Sequence, residues 1–131
     1  MPSRRFIPSI VWAIIILVLM GLPGNYFPRM VSFWDWLSYD KLIHLFIFGI
    51  QVMLLMYGIR IQNLPKEKKL SNAIIIFISV TIFAGVTELL QSYVFIRRHG
   101  SIYDFLADVC GIIIGILIYY WLYLKKKKKS N

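Results

Sequence analysis

The sequence predicts an all-α protein: a bundle of four transmembrane helices. Three observations lead there. The 131 residues are 59% hydrophobic and only 16% charged, with a mean hydropathy of +0.69, a balance foreign to water-soluble chains of this length. The apolar residues fall into four long runs, each near the ~20 residues that a helix needs to cross a ~30 Å hydrocarbon core. The runs are continuous and not alternating, which argues against membrane β-strands and leaves helices as the way to satisfy the backbone in lipid.

The first span covers about residues 6–22 and stops at Pro23-Gly24-Asn25, a strong helix terminator. Arg4 and Arg5 ahead of it also suit a secretory signal peptide. No small-residue cleavage site follows, however, so the segment reads as a retained anchor. The second span covers about residues 41–59 and the third about 70–96; Asn63, Pro65 and the surrounding lysines separate them. The fourth covers about residues 103–124 and ends in Lys125 through Lys129. Residues 1–131 read as a single membrane domain.

Lysine and arginine bias orients the spans. Arg4, Arg5, Arg60, Lys66, Lys68, Lys69 and the five terminal lysines make 11 of the 15 basic residues and fall on one side. Arg29, Lys41, Arg97 and Arg98 fall on the other. The positive-inside rule then puts both termini in the cytoplasm and the loops around residues 25–40 and 97–101 outside. This distribution also accounts for the net charge of +9 without nucleic acid, because no basic face carries interleaved aromatics. The terminal lysines suit a topology anchor that meets anionic lipid. Cys110 is the single cysteine, so no intramolecular disulfide forms, and its apolar neighbours indicate packing. There is no CxxC, HExxH or Walker loop, and neither a metal nor a cofactor is expected.

Against this background the polar residues at the outer ends of the spans stand out: Asp40, Lys41, His44, Glu88, Gln91, Arg98, Asp104 and Asp108. An ionised group at the bilayer centre costs roughly 2.5–3.5 kcal/mol on insertion scales. Helical spacing sorts them onto faces. Asp40, His44 and Gln51 share one stripe of the second span, and Thr81, Ala84, Glu88 and Gln91 one stripe of the third. Asp104, Asp108, Gly111 and Gly115 follow at i, i+4, i+7 and i+11 on the fourth. The lower half of that stripe is a GxxxG, which lets another helix approach closely, so the two carboxylates above it are expected to point into the bundle.

Each residue also has a structural reading. Asp40 caps the second helix, and Ser101-Ile102-Tyr103-Asp104 resembles a capping box. Lys41 snorkels to the interface, His44 is a satisfied interfacial histidine, and Arg97 and Arg98 are a solvated loop. Glu88 resists such a reading most, because a carboxylate at that depth is either neutral or paired. Trp34, Trp36, Tyr39 and Tyr103 at one level, with Trp121 and Tyr123 at the other, suit interfacial belts.

Asp40-Lys41-x-x-His44, then Glu88-x-x-Gln91, then Arg98, Ser101, Asp104, Asp108 and Gly111 together resemble the pattern of the VanZ-like family of small bacterial membrane proteins. The resemblance covers about residues 40–119. Two departures stand in it. The family usually has Asn where this chain has Asp108. It often has Pro-Gly before the arginine, where this chain has Ile96-Arg97, so that Arg98 fits the spacing to Ser101 and Asp104 while Arg97 fits the spacing from Gln91. The family takes its name from an accessory protein of low-level resistance to the glycopeptide teicoplanin. The resemblance therefore implies a multi-pass protein of the bacterial plasma membrane and cell envelope.

Three functions follow from the residues. In the first, an outward polar pocket binds a lipid headgroup, a lipid-linked cell-wall precursor or the antibiotic. Arg98 and Lys41 would meet phosphate, with Asp40, His44, Glu88, Gln91, Ser101, Asp104 and Asp108 around it. In the second, a membrane-embedded enzyme acts on a phosphate- or sugar-bearing lipid. His44 would be base or nucleophile, Asp40 or Asp104 would orient it, and Glu88 would be the acid. The same donor set could hold a divalent cation, but no motif of fixed ligand spacing supports one, and direct acid–base work ranks above it. In the third, the groups form only a packing network, a weak adhesive at ~0.6 kcal/mol per interhelical polar contact. Membrane lipids are partners in every case.

Overall fold

The computed structural model describes residues 2–22, 39–94 and 101–129. Four helices fill them: α1 (Ile7–Gly21), α2 (Tyr39–Ile59), α3 (Lys66–Tyr93) and α4 (Ile102–Lys129). Short 3-10 turns precede α1 at Pro2–Phe6 and follow α2 at Ile61–Asn63. All four helices are long and apolar enough to cross a membrane. The α2–α3 turn is made by Arg60, whose φ of 52° is left-handed, and Pro65 immediately precedes α3, where its missing N–H costs nothing.

The third and fourth helices differ in extent from the spans expected. The third helix starts at Lys66 and not near residue 70, extending through the charged turn Lys66-Glu67-Lys68-Lys69 directly after Pro65. It closes at Tyr93, short of residue 96. The fourth continues through its lysines to Lys129. Lys125 covers the Trp121 ring at 4.9 Å, and Lys69 of α3 covers Tyr123 at 5.1 Å, cation–π contacts that suit the water-facing level.

The helices alternate in direction. Phe6 lies against Gly58, while Met20 meets Gln91, so α1 runs antiparallel to α2 and parallel to α3. Lys69 beside Tyr123 sets α3 antiparallel to α4. One end of the bundle therefore holds the start of α1 and the close of α4. The other holds the starts of α2 and α4 and the close of α3.

The closest seam joins α2 and α4. A Cβ on Gly111 would lie 2.8 Å from the Leu45 carbonyl carbon, and one on Gly115 would lie 2.5 Å from the Gly49 carbonyl oxygen. Only glycine permits backbones so near, and dispersion over that contact is what holds helices together where lipid removes the hydrophobic drive. Phe48, Val52, Met56, Val80, Ala84 and Ile112 fill the interior, with Phe48 and Phe83 joining α2 to α3 at a ring separation of 5.9 Å. Trp12 ties α1 to this core by donating to the Ile47 carbonyl at 2.9 Å. Outward faces carry Ile14, Val18, Phe46, Leu70, Ile82, Leu89 and Leu117 in the open, a surface suited to lipid and unsuited to water.

Candidate functional site

At the end where α2 and α4 begin, three helices deliver polar side chains to one level. Glu88 lies five residues before the close of α3 and Asp108 six after the start of α4. At 1.5 Å per residue that is about 8 and 9 Å of depth. His44 enters from the first turns of α2. All three are buried, His44 and Asp108 completely.

Their geometry is tight. His44 Nδ1 is 2.9 Å from Asp108 Oδ1 and 3.5 Å from Glu88 Oε1. The Ser101 backbone N–H donates to Glu88 Oε2 at 2.9 Å. Lys41 Nζ lies 3.9 Å from Asp104 Oδ1, at the partly exposed margin. Asp40 and Asp104 each place an oxygen within 4.8 Å of a His44 ring nitrogen and of one another. Asp40, Lys41 and Asp104 thus form a rim over an inner triad of His44, Glu88 and Asp108.

Local sequence explains each placement. Asp104 and Asp108 are one helical turn apart and Gly111 follows on the same face. Pressing Gly111 against the Leu45 backbone carries Asp108 onto His44, the residue before Leu45. Glu88 is four residues from Ala84, whose small, fully buried side chain keeps α3 close. Ser101 begins α4: its hydroxyl accepts from the Tyr103 N–H at 3.2 Å, the usual N-cap contact. The reciprocal contact expected of a capping box, an acid accepting the Ser101 N–H, is supplied by Glu88 from another helix.

The remaining candidates are placed as follows. Gln91 is buried but turns to α1, donating to the Met20 carbonyl at 3.3 Å and to Met20 Sδ at 3.0 Å. Gln51 lies deeper on the His44 stripe, its Oε1 buried without a hydrogen-bond partner. Arg97 and Arg98 lie outside the described residues. For orienting His44, the sequence pointed to Asp40 or Asp104, yet the carboxylate on Nδ1 is Asp108, because α2 and α4 run parallel from the same end and glycine lets them touch one turn below the rim. The tie of α1 through Trp12 and Met20 carried no signal beyond a lone Trp in an apolar span.

Among the described residues three buried atoms of the inner triad have no hydrogen-bond partner: His44 Nε2, Glu88 Oε1 and Asp108 Oδ2. Such atoms are rare in native interiors. An apolar groove starts directly beneath this level. It runs between α2 and α4 from Leu45 and Gly111 past Gly49 and Gly115 to Met53 and Ile118, with a volume of about 220 Å³.

Fold and site together define a small multi-pass membrane protein with an acidic, histidine-centred cluster at one end of its bundle. Its sequence matches the family model described as VanZ/LLP1 over residues 5–123, and the chain belongs to that family. No curated protein and no solved structure matches it.

Proposed function

We propose that the chain is a bacterial cell-envelope protein whose polar end binds the anionic headgroup of a lipid or of a lipid-linked cell-wall precursor. One observation carries this reading: the polar rim and the apolar groove adjoin, the first holding Lys41 with Asp40 and Asp104, the second beginning at Leu45 and Gly111. A lipid needs that combination. Its phosphate meets Lys41 and Arg98, whose guanidinium offers two parallel donors, and its acyl chain lies beside the α2–α4 seam, in the groove lined by Phe46, Ile50, Met53, Ile114 and Ile118. Basic residues gathered at the end opposite the cluster support an outward-facing site with cytoplasmic termini. That side exposes cell-wall precursors, which suits a family linked to low-level teicoplanin resistance.

Lipids that co-purify with the protein in mild detergent, identified by mass spectrometry, test the reading. Enrichment of one anionic class over the bulk membrane supports it, and that enrichment should fall in Lys41→Ala. A lipid profile equal to the bulk membrane overturns it.

A second reading rests on a different observation. Asp108 on His44 Nδ1 leaves Nε2 without a partner, the arrangement of an oriented general base. Turnover of a phosphate- or sugar-bearing lipid by wild type, abolished in His44→Gln, would favour an enzyme over a binding protein.

A further inference from the structure

We propose that His44 Nδ1, Glu88 Oε1 and Asp108 Oδ1 form a three-ligand site for a divalent transition-metal ion of the Zn²⁺ or Mn²⁺ class.

Charge is the first argument. Among the described residues, Asp40, Glu88, Asp104 and Asp108 gather around His44 with Lys41 as the cation at the margin. The two buried carboxylates Glu88 and Asp108 flank the imidazole of His44, and this inner triad carries two negative charges with His44 neutral, or one with it protonated. A buried carboxylate persists in low dielectric when it is protonated, paired or on a metal, and a divalent ion offsets two such charges at once.

Geometry is the second argument. In a tetrahedral site, metal–ligand bonds of about 2.0–2.1 Å put neighbouring ligand atoms roughly 3.3 Å apart. The two His44 Nδ1 separations, 2.9 Å to Asp108 and 3.5 Å to Glu88, bracket that edge. Each of the three residues also offers a ligand atom within 4.8 Å of one on each of the others. The third argument is the orphaned acceptor. Glu88 Oε1 has no hydrogen-bond partner although it faces His44 from a side chain that is nine-tenths buried. Its sister oxygen is fixed by the Ser101 N–H, so the carboxylate is aimed by the start of α4. Metal-bound carboxylates are commonly held in this way by an outer hydrogen bond.

One imidazole with two carboxylates suits Zn²⁺ or Mn²⁺ better than Ca²⁺ or Mg²⁺, which prefer all-oxygen sets. Three ligands leave further coordination positions for water or an exogenous oxygen. No short motif announces the site, because its ligands come from three helices and are 20 or more residues apart. The site does not depend on the headgroup reading, since it is tested without lipid.

The test is metal binding by the full chain in detergent, stripped with EDTA and titrated with Zn²⁺ and with Mn²⁺. Wild type is expected to bind about one ion per chain. Loss of an outer-shell partner already costs 10–100-fold in affinity, so Glu88→Gln and Asp108→Asn should each weaken binding by at least about tenfold. Unchanged binding in His99→Gln would exclude the chain's other histidine. No binding by wild type, or wild-type affinity in Glu88→Gln and Asp108→Asn, overturns the proposal. Should those variants fail to fold, the spectrum of Mn²⁺ bound to His99→Gln decides. A histidine-nitrogen coupling supports the site, and its absence rejects it.

Discussion

Replacing Gly111 by alanine tests how the α2–α4 seam builds the site. The added methyl would lie 2.8 and 2.9 Å from the Leu45 carbonyl carbon and Cα, whereas carbon atoms in contact settle near 3.5–4.0 Å. The Leu45 carbonyl oxygen is nearer still; all three neighbours are backbone, so no side chain can swing aside and α2 must move away by about 1 Å or more. Overpacking of this kind costs about 1–3 kcal/mol, and alanine recovers about 0.8–1.0 kcal/mol of helix propensity over glycine. Gly85→Ala isolates the two effects. Its methyl would meet only Phe105 Cε2, at 3.7 Å, an ordinary contact, so it gains propensity without the clash. The difference between the variants is then the overpacking cost alone, about 1–3 kcal/mol in favour of Gly85→Ala. Thermal or denaturant unfolding of both proteins in one detergent measures it. His44 and Asp108 sit on either side of the same seam, so Gly111→Ala should also lengthen their 2.9 Å hydrogen bond and shift the His44 ring ¹⁵N resonances. A Gly111→Ala protein as stable as Gly85→Ala, with unchanged His44 resonances, would refute the argument.

Three other outcomes are expected. Ser101→Ala removes the hydroxyl that accepts from the Tyr103 N–H and should lower stability by about 1 kcal/mol while leaving the backbone bond to Glu88, read by unfolding of the purified protein. Glu88→Ala leaves the Ser101 N–H without its acceptor and should cost about 1–3 kcal/mol, whereas Glu88→Gln, which keeps an acceptor there, should lose less; equal losses would argue against this bond. In a Cys110→Ala background, a cysteine at Ser130 should react with an impermeant thiol reagent only after the cells are opened, and one at His99 in intact cells. The reverse pattern would invert the proposed topology.

Hydrophobic run length and the need to satisfy every backbone group in lipid made the four helices legible from sequence, and the polar pattern made the family legible. Helical spacing was sufficient to place Asp104, Asp108, Gly111 and Gly115 on one face, since a 3.6-residue period needs no tertiary information. Contacts between helices were not legible. That Asp108 and not Asp104 holds His44 Nδ1 depends on the offset between α2 and α4, which their glycines set. That Glu88 caps the start of α4, or that Gln91 turns to Met20, depends on how neighbouring helices pack, and spacing within one helix carries no record of it. α3 begins before the apolar span at residue 70 because hydropathy marks the apolar core of a helix and not its charged first turn.

The most direct test of a site that pairs headgroup with acyl chain is photolabelling. An anionic phospholipid carrying a diazirine on its acyl chain would be reconstituted with the protein, irradiated, and its attachment points mapped by peptide mass spectrometry. Labels should concentrate on Ile50, Met53, Ile114 and Ile118 along the groove, with fewer in Lys41→Ala. Labels spread evenly over the lipid-facing residues, with Ile82 and Leu70 marked as often as Met53 and no change in Lys41→Ala, would contradict such a site.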